Sequence, residues 1–205
     1  MQDSTFDLDS GRRLVKIARR AIEQVAEHKR KDLKIEGTEN KKLNEKHGVF
    51  VTIKKFKDNS LRGCIGFISP SPLWEAVQRA AVMAAFCDPR FAPIVKDELN
   101  ELLIEVSIMS EPSLVVAKNK GAYKNKINIG RDGLIIFNKE RSGLLLPQVP
   151  IEQEWDCEDF LENLCYKAGM LPDMLDDENT KIMRFQCQIF AEKEPDGEIV
   201  EIQLK

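Results

Sequence analysis

Residues Leu61–Gly66 read LRGCIG and set an arginine and a cysteine two positions apart in a segment of strand character. Alternate side chains of a strand share a face, so Arg62, Cys64, Gly66 and Ile68 are expected on one side and Leu61, Gly63, Ile65 and Phe67 on the other. The attachment points of Arg62 and Cys64 then lie about 6.6 Å apart, a gap that a flexible guanidinium can close. A cation at that distance favours thiolate over thiol and lowers the cysteine pKa, which makes Cys64 a candidate nucleophile or redox thiol with Arg62 as its electrostatic partner. Gly66 would leave open space on the same face for a ligand or another backbone, and Gly63 would thin the opposite side. The bland alternative is a Cys64 that fills a small core volume, a surface Arg62, and two glycines that mark a bulge.

Five other positions carry chemistry of their own. Asp88 and Arg90, in DPRF, put opposite charges on a forced corner, which suits a rim where Arg90 binds an anionic group. The same residues equally suit a local ion pair, with Phe91 anchoring the corner in the core. Glu105 interrupts the strand-like LLIEVSIM and is either a general acid or base for the same site or a residue facing solvent. Gln148, held between Pro147 and Pro150, is either a rigid recognition amide or an ordinary loop residue. His47 serves as a base for Cys64 only if the fold brings them together. No Gly-x-Ser-x-Gly elbow, phosphate-binding glycine loop or dinucleotide fingerprint is present, which argues against several common enzyme classes.

The elements that must position these residues follow from periodicity. A helix is expected over about 12–27, with Leu14, Ile17, Ala18, Ala21, Ile22 and Val25 inward and Asp9 or Ser10 as its cap. The polar segment 28–46 is expected to be a loop or a poorly packed short element, a candidate for mobility. Strands over 49–56 and 61–68 flank the turn KDNS, and an alanine-rich helix over 73–86 follows, with Ser71 as its cap and Pro72 at its first position. After the DPRFAP corner come the strand LLIEVSIM and three short strands, KINIG, GLIIF and GLLLP. A helix over 157–168 starts at Asp156 and stops at Gly169, and the chain closes with a strand over 183–191 and a second, IVEIQL. Meandering strands with three sizeable helices imply an α+β fold, mainly antiparallel sheets flanked by helices. With no repeat or low-complexity linker, a single domain over 1–205 is expected.

Bulk properties narrow the function classes. The chain has 205 residues, 42% of them hydrophobic and 32% charged, which is ordinary globular composition. Five cysteines without a C-x-x-C pair point to reduced thiols and a cytoplasmic setting, and only two histidines leave no metal or cofactor expected. The net charge of −3 gives no overall field for nucleic acid, although Lys29–Lys31 and Lys54–Lys57 are locally basic. No apolar run reaches the roughly 20 residues of a membrane span, so no membrane partner is expected.

The blocks LRGCIG, DPRFAP, EVSIMS, GLLLPQV and CYKAGM stand in the order found in the AMMECR family, which this chain resembles over roughly Leu14–Phe190. The family is named for a human contiguous-deletion region associated with Alport syndrome, intellectual disability, midface hypoplasia and elliptocytosis. The resemblance implies one α+β unit with a larger lobe from both chain ends, a smaller lobe from the middle, and the LRGCIG block near the cleft between them. It implies no known reaction. Association with Memo-type and radical-SAM proteins is a further implication, and a Memo-type protein is the partner it suggests. Arg62, Gly63, Cys64, Gly66, Asp88, Arg90 and Gln148 match the motif positions; one departure is LPDMLDD after KAGM, where the family carries an aromatic residue. The expected function is thus a cytosolic enzyme or small-molecule-binding protein with its site on the LRGCIG strand, with a non-catalytic interaction or scaffold module as the alternative.

Overall fold

Helix α1 spans Leu8–His28 in a computed structural model that describes residues 6–28, 38–117 and 120–204. It begins four residues earlier than its apolar stripe suggests, because Asp7 accepts the Ser10 N–H at 2.8 Å and caps the first turn. Strands β1 (Lys46–Lys55) and β2 (Leu61–Pro72) form the expected hairpin. The KDNS turn closes through Asn59 at φ 56° and the Ser60 N–H donated to Asp58 Oδ1 at 2.9 Å. Helix α2 (Leu73–Phe86) starts directly from the end of β2. Ser71 is therefore still a strand residue opposite His47, and Pro72 takes the cap position with no side-chain cap. Strand β3 (Leu102–Met109) follows a 3-10 turn over Lys96–Glu101.

The middle of the chain holds β4 (Ser113–Leu114), β5 (Gly133–Asn138), β6 (Arg141–Leu145), α3 (Val149–Glu152), α4 (Cys157–Lys167) and β7 (Lys181–Phe185). The expected KINIG strand is a turn, because the buried Asp132 accepts the Asn128 N–H at 2.9 Å and folds that stretch onto itself. Helix α4 starts as expected at Asp156, whose carboxylate accepts the N–H groups of Glu158 and Asp159, and it ends before Gly169 at φ +67°. The single strand expected over 183–191 is divided at Gln186 into β7 and β8 (Cys187–Glu192), which belong to different sheets; β9 (Ile199–Ile202) closes the chain.

The fold is α+β, with a five-stranded sheet ordered β2-β1-β3-β8-β9 and a four-stranded sheet ordered β4-β7-β5-β6. The chain divides into two compact units, one from the described part of Met1–Met109 with Gln188–Gln203 and one from Ser110–Cys187. In the first, Val49, Val51 and Ile53 of β1 and Ile104, Val106 and Ile108 of β3 share a core with the apolar stripes of α1 and α2. Arg19 of α1 is buried there against Glu192, donating to its two carboxylate oxygens at 2.5 and 2.6 Å. Glu192 also accepts the Ile104 N–H at 2.9 Å, so one buried pair joins α1, β3 and β8. In the second unit, Leu134, Ile136 and Ile182 pack against Phe160, Leu161 and Leu164 of α4. No helix among the described residues is long and apolar enough to cross a membrane.

Candidate functional site

The core claims one face of the β2-β1-β3 sheet and leaves the polar residues to the other. Register places Cys64 opposite Thr52, and Thr52 opposite Glu105, in one row across three strands. The main-chain groups of Cys64 point outward from β2, so Cys64 and Thr52 form the close, non-hydrogen-bonded kind of antiparallel pair. The Thr52 hydroxyl accordingly donates to Cys64 Sγ at 3.3 Å. Lys54, two residues along the same face, donates to Glu105 Oε2 at 3.2 Å. Thr52 and Glu105 are buried, which removes the solvent-facing alternative for Glu105, while Cys64 and the Lys54 side chain remain partly exposed.

Burial pushes the Cys64 thiol up from its ordinary pKa, and the charges of Glu105 and Asp88 add to the rise. The Thr52 hydrogen bond and the Arg90 charge work against it without reversing it. Cys64 is therefore a neutral thiol at neutral pH, contrary to the lowered value expected from the arginine two positions away. The reason lies at Arg62. Between Ile53 and Lys54 the register shifts, so two residues of β2 face one of β1, a bulge of the kind that redirects a side chain. Arg62 donates from Nε and Nη2 to Glu98 at 2.9 and 3.1 Å and lies over the Phe91 ring with its Cζ 6.0 Å from the centroid. Its side chain is 9% exposed, and its Nη1 has no hydrogen-bond partner among the described residues.

Asp88 and Arg90 form an ion pair at 2.7 Å, and the pair also grips the strand edge. Asp88 Oδ2 accepts the Cys64 N–H at 2.9 Å, and Arg90 Nη2 donates to the Cys64 carbonyl at 3.3 Å. Hydrogen bonds from Arg90, outweighing burial, bring the Asp88 carboxyl down to about 2. Phe91 is half-buried between the guanidinium groups of Arg62 and Arg90, and Ile94 takes the core position expected of Phe91.

The two glycines have separate causes. A Cβ on Gly63 would overlap the Ala84 carbonyl of α2, so this glycine lets the helix lie against the strand. A Cβ on Gly66 would overlap the Phe50 ring, so the expected open patch is filled by a cross-strand aromatic. His47 lies five residues from Thr52 along β1, against Phe6 and with Nδ1 3.3 Å from the Met109 carbonyl oxygen, and it does not meet Cys64. Gln148 is buried in the second unit. Lys29–Lys31 lie outside the described residues, as does 29–37 of the segment expected to be mobile, whereas Lys42–Asn44 form a 3-10 turn. No disulfide joins any of the five cysteines, and no group of three potential metal-binding side chains occurs among the described residues.

Sequence reasoning missed Thr52, Lys54 and Glu98. Thr52 and Lys54 share parity in GVFVTIKK, a usable signal, but only the three-strand register aligns them with Cys64 and Glu105. Nothing local marks Glu98 as the partner of a residue 36 positions away.

Comparison with known proteins places this geometry in a wider set. The chain is 50% identical over 163 residues to a protein of Methanocaldococcus jannaschii, covering 79% of this chain and 81% of that one. It is 48% identical over 193 residues to a protein of Thermococcus kodakarensis, covering 92% and 93%. The crystal structure of an uncharacterized protein from Pyrococcus horikoshii superposes with a TM-score of 0.89 at 43% identity, covering 95% of this chain and 97% of that one. The AMMECR1 family model matches residues 15–190, and the chain belongs to the AMMECR1 family.

Proposed function

We propose that this protein is a cytosolic small-molecule-binding protein or enzyme that recognises a polar metabolite over the Cys64, Thr52, Glu105 and Lys54 face. The observation that supports this most is the row itself: a thiol, a hydroxyl and a carboxylate directly aligned across three strands, joined by an ammonium. Its two partly exposed members, Cys64 and Lys54, are the groups a ligand would touch, and the buried Thr52 and Glu105 would orient them. Cys64 would contact the ligand as a neutral thiol, and chemistry at sulfur would require its proton to leave during the reaction. Glu105, the carboxylate of that row, stands two strands from Cys64, so the proton would reach it by way of the Thr52 hydroxyl between them. Arg62, Asp88 and Arg90 would act by positioning the strand, and five cysteines outside any disulfide fit a reducing compartment.

The test is retention of metabolites from a cell extract by the purified protein, read by mass spectrometry after equilibrium dialysis, with iodoacetamide protection of Cys64 as a second readout. Retained compounds should slow alkylation of Cys64 in the wild type, and both Cys64→Ser and Glu105→Gln should weaken their retention about tenfold or more. Equal retention by all three proteins, with no protection of Cys64, would overturn the reading. Binding of protein partners alone, unaffected by Cys64→Ser, would favour a scaffold, with a Memo-type protein as the first partner to try.

A further inference from the structure

Away from the Cys64 face, Arg12, Arg13, Lys16 and Arg20 of α1 line a cavity of about 390 Å³ whose far wall is formed by Thr38 and Leu43. Arg12, Lys16 and Arg20 stand four residues apart, on one side of the helix and spread over about 12 Å of its axis. Like charges at this spacing disfavour a helix, so the row persists against its own repulsion. Asp9, the one acidic residue in the lining among the described residues, pairs with Arg13 at 2.8 Å, and Arg12 donates from Nε to the Ile199 carbonyl at 3.5 Å, which leaves Lys16, Arg20 and the terminal nitrogens of Arg12 for the cavity in a chain of net charge −3. Lys16 and Arg20 have no ion-pair partner among the described residues.

The opposite wall is held in place. Thr38 Oγ1 accepts the Asn40 N–H at 3.1 Å, and Asn44 Nδ2 donates to the carbonyl oxygens of Thr38 and Asn40 at 3.2 and 3.1 Å. Trp74 of α2 donates from Nε1 to Asn44 Oδ1 at 2.9 Å, and Leu43 is buried in the core, so the turn is tied to the body of the unit. Ile17 adds an apolar patch to the cationic lining. The volume falls at the lower end of the range for small-ligand sites, roughly 300–1,000 Å³. Guanidinium forks match phosphate and carboxylate oxygens alike in pairs; a phosphate group sets more charge in the same small volume, and a neutral ligand would leave most of these donors unused.

The geometry points to a second ligand site, an organic-phosphate site of about mononucleotide size between α1 and the turn at Thr38–Asn44, with Arg12, Lys16 and Arg20 holding the phosphates. It shares no lining residue with the Cys64 face, so the two sites stand or fall separately.

Calorimetric titration of the full chain with ADP tests it. ADP should bind saturably, Lys16→Gln and Arg20→Gln should each weaken it about tenfold, and the triple variant with Arg12→Gln should abolish it. These side chains are exposed, so melting temperatures of the variants should stay near wild type, and Cys64→Ser should bind ADP normally. Absence of saturable binding at millimolar ADP, or equal affinity in the triple variant, would overturn the site. Tight, steeply salt-dependent binding of oligouridine that ADP does not displace would overturn it in favour of a nucleic-acid surface.

Discussion

Asp88 and Arg90 hold both main-chain polar groups of Cys64, the carboxylate taking its N–H at 2.9 Å and the guanidinium reaching its carbonyl at 3.3 Å. Strand β2 is at the outer edge of the five-stranded sheet, so these side chains supply there what a neighbouring strand would otherwise supply. The corner after α2 thereby fixes the backbone of the residue whose thiol faces Thr52, and it closes an edge that could otherwise pair with another chain.

The first prediction concerns that clamp. Asp88→Asn removes a buried, charge-assisted acceptor and should lower stability by about 2 kcal/mol at pH 7, measured by urea unfolding. The folded-state carboxyl, near 2, lies below its ordinary value of 3.8, so the contribution is present above that value and fades as pH falls from about 4 toward 2. The gap between wild type and variant should narrow across this window. A gap that is constant with pH would refute an ionised clamp.

Cys64 should alkylate more slowly than the exposed Cys87 at pH 7, followed residue by residue with iodoacetamide, because burial disfavours the Cys64 thiolate. Its rate should continue to rise at pH values above the ordinary thiol range. Thr52→Val removes the hydrogen bond that lowers the thiol pKa and should shift the profile further upward. Faster reaction at Cys64 than at Cys87 would restore the activated-thiol reading.

Gly63→Ala should cost about 1–3 kcal/mol, since its methyl group meets a backbone carbonyl of α2 rather than a movable side chain. The denaturation midpoint should fall without a change in slope. A neutral substitution would mean that α2 can withdraw from β2.

Glu98→Ala leaves the Arg62 guanidinium, buried and with Nη1 already unpartnered, without its carboxylate. The expected loss is about 1–3 kcal/mol, moderated by the partial exposure of Glu98. Arg62→Met combined with Glu98→Ala should recover part of that loss, which a double-mutant cycle would read as coupling between the two. Additive losses would show that the pair contributes little to stability.

Many of the strands and helices were legible because each has a local cause. Leu14, Ile17, Ile22 and Val25 repeat at the helical period, KDNS has turn chemistry, and Asp156 and Gly169 bracket α4. The candidate site was legible only in part. Alternation correctly put Cys64 and Gly66 on one face, but it assumed an unbroken ladder, and the bulge at Leu61–Arg62 carried the arginine to Glu98. The row Cys64, Thr52, Glu105 joins residues from three strands, and its alignment depends on pairings set by the whole sheet. Gln186 illustrates the same limit: alternation runs through it undisturbed, while the chain there passes from one sheet to the other.

That passage has a consequence for the order in which the protein can form during synthesis. Ser110 and Gln186 bracket the middle unit and are tied to each other, Ser110 N–H donating to the Gln186 carbonyl and Gln186 N–H donating to Ser110 Oγ, both at 2.9 Å. Every strand of the middle sheet has been made once Phe185 is added. The sheet that carries Cys64 lacks β8 until Glu192, the partner of Arg19, has been added, and it lacks β9 until Ile202 has followed. The segment encoded in the middle can therefore settle first, while α1, made before it, depends on β8 and β9, made after it, to complete its core.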